Sequence, residues 1–316
     1  MKVLISLVFC LVSFLFGTTI ASPERLEKKA VLVTGATSGI GRNIAESLAL
    51  SGFYVYAGAR KERNIDELNA LENIEAVRLD VTVQEDIDRA VMQIQTAGRE
   101  LYALVNNAGV LAAGPLSEMD VDQMRWQFEV NVFGVHRVTN AFAPLLVKNS
   151  GRIVNIGSIA GNIGIKYLGA YSMTKHAIEA YTDSLASEMA LLGVNVSIVQ
   201  PGDFSSKIWK DAIAKGESGG LVQQNSPFYK DVSEWIAGVA TMKTKKPDAV
   251  SVAVTHALSA ETPRRRYLVV PNEAEAQWVI GSAVTRLAEM NTDQEHAFTA
   301  KQLADLVENS MKELAY

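Results

Sequence analysis

From Ala30 onward the chain alternates short apolar runs with longer stretches in which apolar residues recur at helical spacing. Ala30–Val33 reads as a first strand, followed by a glycine-rich turn and a helix from about Ile40 to Leu50. Phe53–Ala57, Val77–Leu79, Leu101–Val105, Ile153–Ile156 and Val194–Val199 read as the second to sixth strands, and Tyr267–Val270 as the last. A long helix is expected over Val121–Lys148, bent or shortened at Pro144, because proline removes a helical N–H. A second is expected over Tyr171–Leu192, and a third after a less regular region that ends near Lys246. Strands alternating with helices predict an α/β fold with a mostly parallel sheet covered on both faces. The tail after Pro271 reads as helical, with Leu303, Leu306 and Met311 available for packing.

Ahead of the alternation, Val3–Ile20 is an apolar stretch broken only by Ser, Thr and one Gly. As a signal peptide it has a basic start at Lys2 and a small-residue exit at Thr19-Ile20-Ala21. As an anchor it is just long enough to span a bilayer, and the excess of Arg25, Lys28 and Lys29 over Lys2 would hold the body on the cytoplasmic side. The anchor is preferred, with export after cleavage as the alternative. The expected organisation is residues 1–22 as anchor or signal, 23–29 as linker, 30–272 as the catalytic domain and 273–316 as a helical extension. The length of 316 residues also allows two domains.

Composition removes several function classes. The chain is 48% hydrophobic and 21% charged, ordinary for a globular body with a full core. Its net charge of -5 comes with no basic stripe beyond Arg264-Arg265-Arg266, so nucleic-acid binding is not expected. The single cysteine, Cys10, lies in the N-terminal apolar run, so the body has neither a catalytic thiol nor a thiolate metal site. His136, His176, His256 and His296 lack ligand spacing, and no metal is expected.

The chemistry concentrates in two places. Thr34-Gly35-Ala36-Thr37-Ser38-Gly39-Ile40-Gly41 follows the first strand with G-x-x-x-G-x-G spacing. Glycines there let backbone amides approach a pyrophosphate at a helix N-terminus, although a tight strand-to-helix turn would need them too. Further on, Ser158 follows the fifth strand, and Tyr171 and Lys175 stand four apart on one helix face. A hydroxyl, a phenol and an ammonium at a strand end suit chemistry on a carbonyl or an alcohol.

In these residues the chain resembles the short-chain dehydrogenase/reductase family, in its smaller branch. The resemblance runs from Ala30 to about Asn272 through Thr34-Gly35-x-x-x-Gly39-Ile40-Gly41, Asp80-Val81, Asn106-Asn107-Ala108-Gly109, Asn131, Ser158, Tyr171-x-x-x-Lys175 and Pro201-Gly202. It implies a doubly wound, mostly parallel Rossmann-type fold in a single domain, a nicotinamide cofactor, and usually a homodimer or homotetramer. It implies cofactor contacts from Gly35, Thr37, Ser38, Gly39, Ile40, Gly41, Asp80, Val81, Asn107, Ala108, Gly109, Pro201 and Gly202, with Asp80 and Val81 near the adenine. For Asn106 and Asn107, bonding to neighbouring backbone alone is an equal alternative. Asn131 matches the fourth catalytic position, where it would hold a water linking Lys175 to solvent or satisfy the backbone at a helix kink.

The resemblance gives Tyr171 the role of general acid/base and has Ser158 hold the substrate oxygen. Lys175 would bond the nicotinamide ribose while lowering the phenol's pKa from its ordinary value of about 10. After the second strand no carboxylate occurs before Glu62; Ala59 and Arg60 stand there instead. Arg60 can pair with a 2′-phosphate, so NADP is favoured over NAD. Phe204, Ile208, Trp209, Phe228, Tyr229 and Trp235, interrupted by Gly216-Glu217-Ser218-Gly219-Gly220, suit a mobile apolar lid or ordinary loop packing. With the anchor, they point to a lipophilic alcohol or ketone. The wording around Tyr171-Ser172-Met173-Thr174-Lys175 is similar to retinol and 17β-hydroxysteroid dehydrogenases.

Two other readings compete. A dinucleotide-sensing protein without turnover would be expected to lose the tyrosine or the lysine. A serine hydrolase would need G-x-S-x-G, where this chain has Gly157-Ser158-Ile159-Ala160-Gly161, and a partner histidine.

Overall fold

A computed structural model describes residues 28–217 and 221–314. The expected anchor or signal, most of the linker and Ser218–Gly220 lie outside the described residues. β1 (Ala30–Val33) leads through the glycine turn into α1 (Gly39–Leu50), β2 (Tyr54–Ala59) into α2 (Glu62–Asn69), and β3 (Ile74–Arg78) into α3 (Gln84–Thr96). β4 (Leu101–Asn106) is followed by α4 (Val121–Phe128), a π-helical turn (Glu129–Phe133) and α5 (Gly134–Lys148). Then come β5 (Arg152–Ile156), a 3-10 turn (Ile159–Gly161), α6 (Gly169–Ala190) and β6 (Asn195–Pro201). The chain continues with α7 (Lys207–Glu217), α8 (Tyr229–Thr241), α9 (Asp248–Ser259), β7 (Arg266–Val269), α10 (Glu273–Asn291) and α11 (Ala300–Leu314).

The seven strands form one sheet in the order β3-β2-β1-β4-β5-β6-β7, every neighbouring pair parallel. Alternate strand residues feed opposite faces. Val31, Val33, Val55, Val105 and Val154 pack against Ile44 and Leu48 of α1 and Val250 and Val254 of α9. Leu32, Tyr56, Leu104 and Ile153 pack against Ile87 and Ile94 of α3 and Phe142 and Leu146 of α5. Strands buried on both sides explain why each reads as a continuous apolar run. The order reverses between β1 and β4, and the crevice that forms there at the carboxyl ends of the strands is where a doubly wound sheet binds ligands.

Several expectations need correction. β3 begins at Ile74, earlier than Val77, because Ile74 through Arg78 pair with Val55 through Ala59. Glu75 masked this run, and its carboxylate accepts a bond from the Tyr54 hydroxyl at 2.7 Å. The helix expected over Val121–Lys148 is interrupted at Glu129–Phe133 and passes unbroken through Pro144. The irregular region before Lys246 contains α7 and α8. In the tail, Leu306 and Met311 are exposed, and α11 buries no residue. Among the described residues no helix is long and apolar enough to cross a membrane.

Candidate active site

The glycine turn is held by its neighbours on the sheet. Gly35 and Gly39 adopt φ of 65° and 56°, the left-handed region that glycine enters without a Cβ clash. A Cβ on Gly41 would overlap the side-chain nitrogen of Asn107 and the carbonyl oxygen of Gly35. Asn107 Nδ2 donates to the carbonyls of Thr34 at 2.9 Å and Gly35 at 3.1 Å, and Thr34 Oγ1 accepts from the amides of Asn107 and Ala108. Asn106 donates to Thr139 and Asn155, inside the sheet. Asn107 therefore does the backbone bonding foreseen as one alternative, whereas Asn106 bonds side chains instead; Asn107, Ala108 and Gly109 also line the crevice. Ser38 is the N-cap of α1, makes no capping bond, and no acidic residue stands in the first turn. The first-turn amides are thus directed at the crevice without a competing side-chain acceptor.

The crevice has a volume of about 950 Å³. Its wall includes Ser158, Tyr171 and Lys175 with Gly35, Thr37, Ser38, Gly39, Ile40, Gly41, Arg60, Asp80, Val81, Pro201 and Gly202. β5 ends at Ile156, so the chain turns at Gly157 and presents Ser158 at the carboxyl edge of the sheet. Ser158 Oγ accepts the Ala160 N–H at 3.1 Å, and its hydroxyl stands beside the Tyr171 phenol. Lys175 Nζ donates to the Ile156 carbonyl at 2.8 Å and sits 5.6 Å from the Tyr171 ring centroid. The two share a face of α6, as their spacing requires.

The electrostatics differ from expectation. Burial pushes the Tyr171 phenol from 10.0 up to about 12, the Ser158 contact pulls it down, and the Asp203 charge adds to the rise. Lys175 adds no pull on the phenol here; burial pushes its own ammonium down to about 8, and it is bonded to the Ile156 carbonyl. Glu179, one turn further along α6, opposes that fall; it is also paired with Arg266 Nε at 3.0 Å. Sequence reading missed Glu179 and Asp203. The i, i+4 spacing of Glu179 from Lys175 was the available signal for the first.

Asn131 lies in the π-helical turn, outside the crevice wall. Its Oδ1 accepts the Val110 N–H at 2.8 Å, and its Nδ2 donates to the Val110 carbonyl at 2.9 Å and to Thr174 Oγ1 at 3.1 Å. The side chain is committed to holding the 107–110 loop against α6.

At the far end of the crevice Arg60 is 66% exposed and lies 3.5 Å from Asp80 Oδ2. Asp80 also accepts from the Thr82 amide and hydroxyl, and those bonds together with Arg60 hold its carboxyl below the usual range against the opposing effect of burial. Lys61, Arg63 and Asn64 join this rim; the last two escaped sequence reading because they fall inside α2. Over the other end, Trp209, Trp235, Ile208 and Tyr171 pack on Leu111 and Leu168. Tyr167, at φ 64°, hydrogen-bonds Asp231 of α8, as does Lys166.

Comparison with known proteins identifies this architecture. The short chain dehydrogenase family matches residues 29–216. The chain belongs to the short chain dehydrogenases. It is 34% identical over 253 residues to a 3-amino-tetrahydro-pyrrolizinone reductase of Xenorhabdus hominickii, covering 77% of this chain and 87% of that protein. It is 33% identical over 253 residues to an NADPH-dependent 3-dehydrocapnine reductase of Ornithobacterium rhinotracheale, covering 77% and 88%. A solved short-chain dehydrogenase from Streptomyces avermitilis aligns with a TM-score of 0.71 and 31% identity, over 84% of this chain and 95% of that one. The chain is thus an NAD(P)-dependent dehydrogenase/reductase. Its crevice fits the cofactor of such an enzyme: uncapped amides at one helix N-terminus, glycines where a Cβ would intrude, and room that continues to Tyr171.

Proposed function

We propose that this short chain dehydrogenase is an NADP-preferring enzyme that interconverts a lipophilic ketone and its alcohol, with Tyr171 as general acid/base. The observation that carries the reading is the convergence of Ser158, Tyr171 and Lys175 on one wall of a crevice whose opposite rim bears Arg60, Lys61 and Arg63. A bound nicotinamide supplies the hydride exchange at the carbinol carbon. Ser158 orients the substrate oxygen through its hydroxyl, with the Ala160 N–H fixing Oγ in place. Tyr171 gives its proton to that oxygen in reduction and takes it back in oxidation. With its phenol pushed up to about 12, it stands protonated at neutral pH, the form that donates in reduction. Lys175 holds the cofactor ribose, and Asn131 positions the 107–110 loop. The cluster of Trp209, Trp235 and Leu168 gives the substrate an apolar enclosure.

Residues 3–20 act in this proposal as an anchor that keeps the enzyme at the cytoplasmic face of a membrane, near apolar substrates, as a homodimer or homotetramer. The test is oxidation of NADPH and NADH by the full chain against a panel of ketones and aldehydes. Apolar ketones with NADPH are expected to be turned over fastest; turnover confined to small sugars, or a preference for NADH, sinks the reading. Arg60→Ala is expected to raise KM for NADPH about tenfold or more and leave KM for NADH within about threefold, since a charge-assisted bond to phosphate is lost.

A further inference from the structure

The C-terminal extension, beyond the matched family region, reaches into the crevice wall. Asn272 caps α10, its Oδ1 accepting the Glu275 amide at 2.9 Å, and this first turn aims the Glu275 carboxylate beneath the turn that follows β6. Glu275 is buried, and its Oε1 accepts the Asp203 N–H at 2.8 Å. A Cβ on Gly202 would overlap that same oxygen, so the glycine leaves room for the carboxylate as well as for a ligand. Pro201, Gly202 and Asp203 all line the crevice with Tyr171 and Lys175. The helix behind Glu275 is fixed independently. Val279 packs with Ile159 and Ile163, next to the Ser158 turn, and Arg286 donates to the Asn162 carbonyl at 3.0 Å.

We infer that Glu275 is a positioning residue: it clamps the Pro201–Gly202–Asp203 turn so that docking of α10 and binding of the nicotinamide dinucleotide are linked. This rests on the family's cofactor binding in the crevice, and on NADP preference only for the choice of probe. A buried amide acceptor that reaches across from another element must be supplied or the Asp203 N–H is orphaned. Because linkage is reciprocal, a nucleotide that favours the clamped turn also holds the helix down.

The separating variants are Glu275→Gln, which keeps reach and acceptor but loses charge, and Glu275→Asp, which keeps charge but falls one methylene short. All four tryptophans, Trp126, Trp209, Trp235 and Trp278, line the crevice, so their fluorescence reports NADPH binding without turnover. On the full chain, Glu275→Asp is expected to raise the NADPH Kd about tenfold and Glu275→Gln to change it less than about threefold, the size of one hydrogen bond lost or kept. NADPH is expected to slow proteolysis within α10 in the unaltered chain and in Glu275→Gln, and to do so weakly in Glu275→Asp. Equal Kd values for all three proteins, or the reverse order with the glutamine variant weakened, overturn the clamp. Each titration is repeated with NADH; an unaltered chain that prefers NADH refutes the NADP reading alone, and the variant order is then read with NADH.

Discussion

Tyr171 and Lys175 stand together on the crevice wall, yet their side-chain surroundings oppose the simplest account of them. Burial drives the phenol up to about 12 and the ammonium down to about 8, so each is pushed toward its neutral form. Lys175 keeps most of its charge at pH 7 and loses it as pH rises through about 8. Tyr171 remains protonated across that range. Carbonyl reduction is therefore expected to hold steady from pH 6 to pH 7.5 and to fall above about pH 8, as the lysine ceases to be a cation. An initial-rate pH profile checks this, and a rate that climbs through pH 9 contradicts it. Position along the chain was enough to find Ser158, Tyr171 and Lys175, since a strand end and an i, i+4 pair fix their neighbourhood. It was not enough to reveal Asp203 and Glu275. Their effect depends on burial, and their contact joins β6 to a helix more than 70 residues later.

At the level of elements, the glycine turn shows how tightly the nucleotide end is built. Gly41 opens α1 against Asn107, whose amide binds the Thr34 and Gly35 carbonyls. Gly41→Ala is expected to cost about 1–3 kcal/mol through overpacking, seen as a lower Tm, and to weaken NADPH binding as the turn shifts. A variant with unchanged Tm and Kd contradicts that packing. Strands were legible because parallel strands buried on both faces carry uninterrupted apolar runs, as Ala30–Val33 does. β3 was read short because Glu75 breaks its run. α7 and α8 were read as one irregular region because Gly216, Gly219 and Gly220, at the end of the first and ahead of the second, read as a hinge. The π-helical turn had no sequence signature; it is set by Asn131 reaching Val110 and Thr174.

On the scale of the whole molecule, the seven-stranded sheet brings Gly35, Arg60, Asn107, Ser158 and Gly202 together at its carboxyl edge, and the C-terminal extension divides into two unequal parts. α10 buries Glu275 and Val279, whereas α11 buries nothing. A chain ending at Asn291 is expected to keep its Tm within about 2 °C and its NADPH affinity within about twofold, since exposed positions contribute little. Loss of either on removing α11 contradicts the division. This asymmetry was not readable from the tail, where Leu303, Leu306 and Met311 recur at helical spacing with or without a partner.

The most direct test of the account is Tyr171→Phe, which removes one hydroxyl and leaves the ring, with NADPH binding and ketone turnover measured on the same preparation. NADPH affinity is expected to stay within about threefold while kcat falls about a hundredfold or more, the range for loss of a general acid/base. Turnover within about tenfold of the unaltered enzyme would contradict proton transfer by Tyr171.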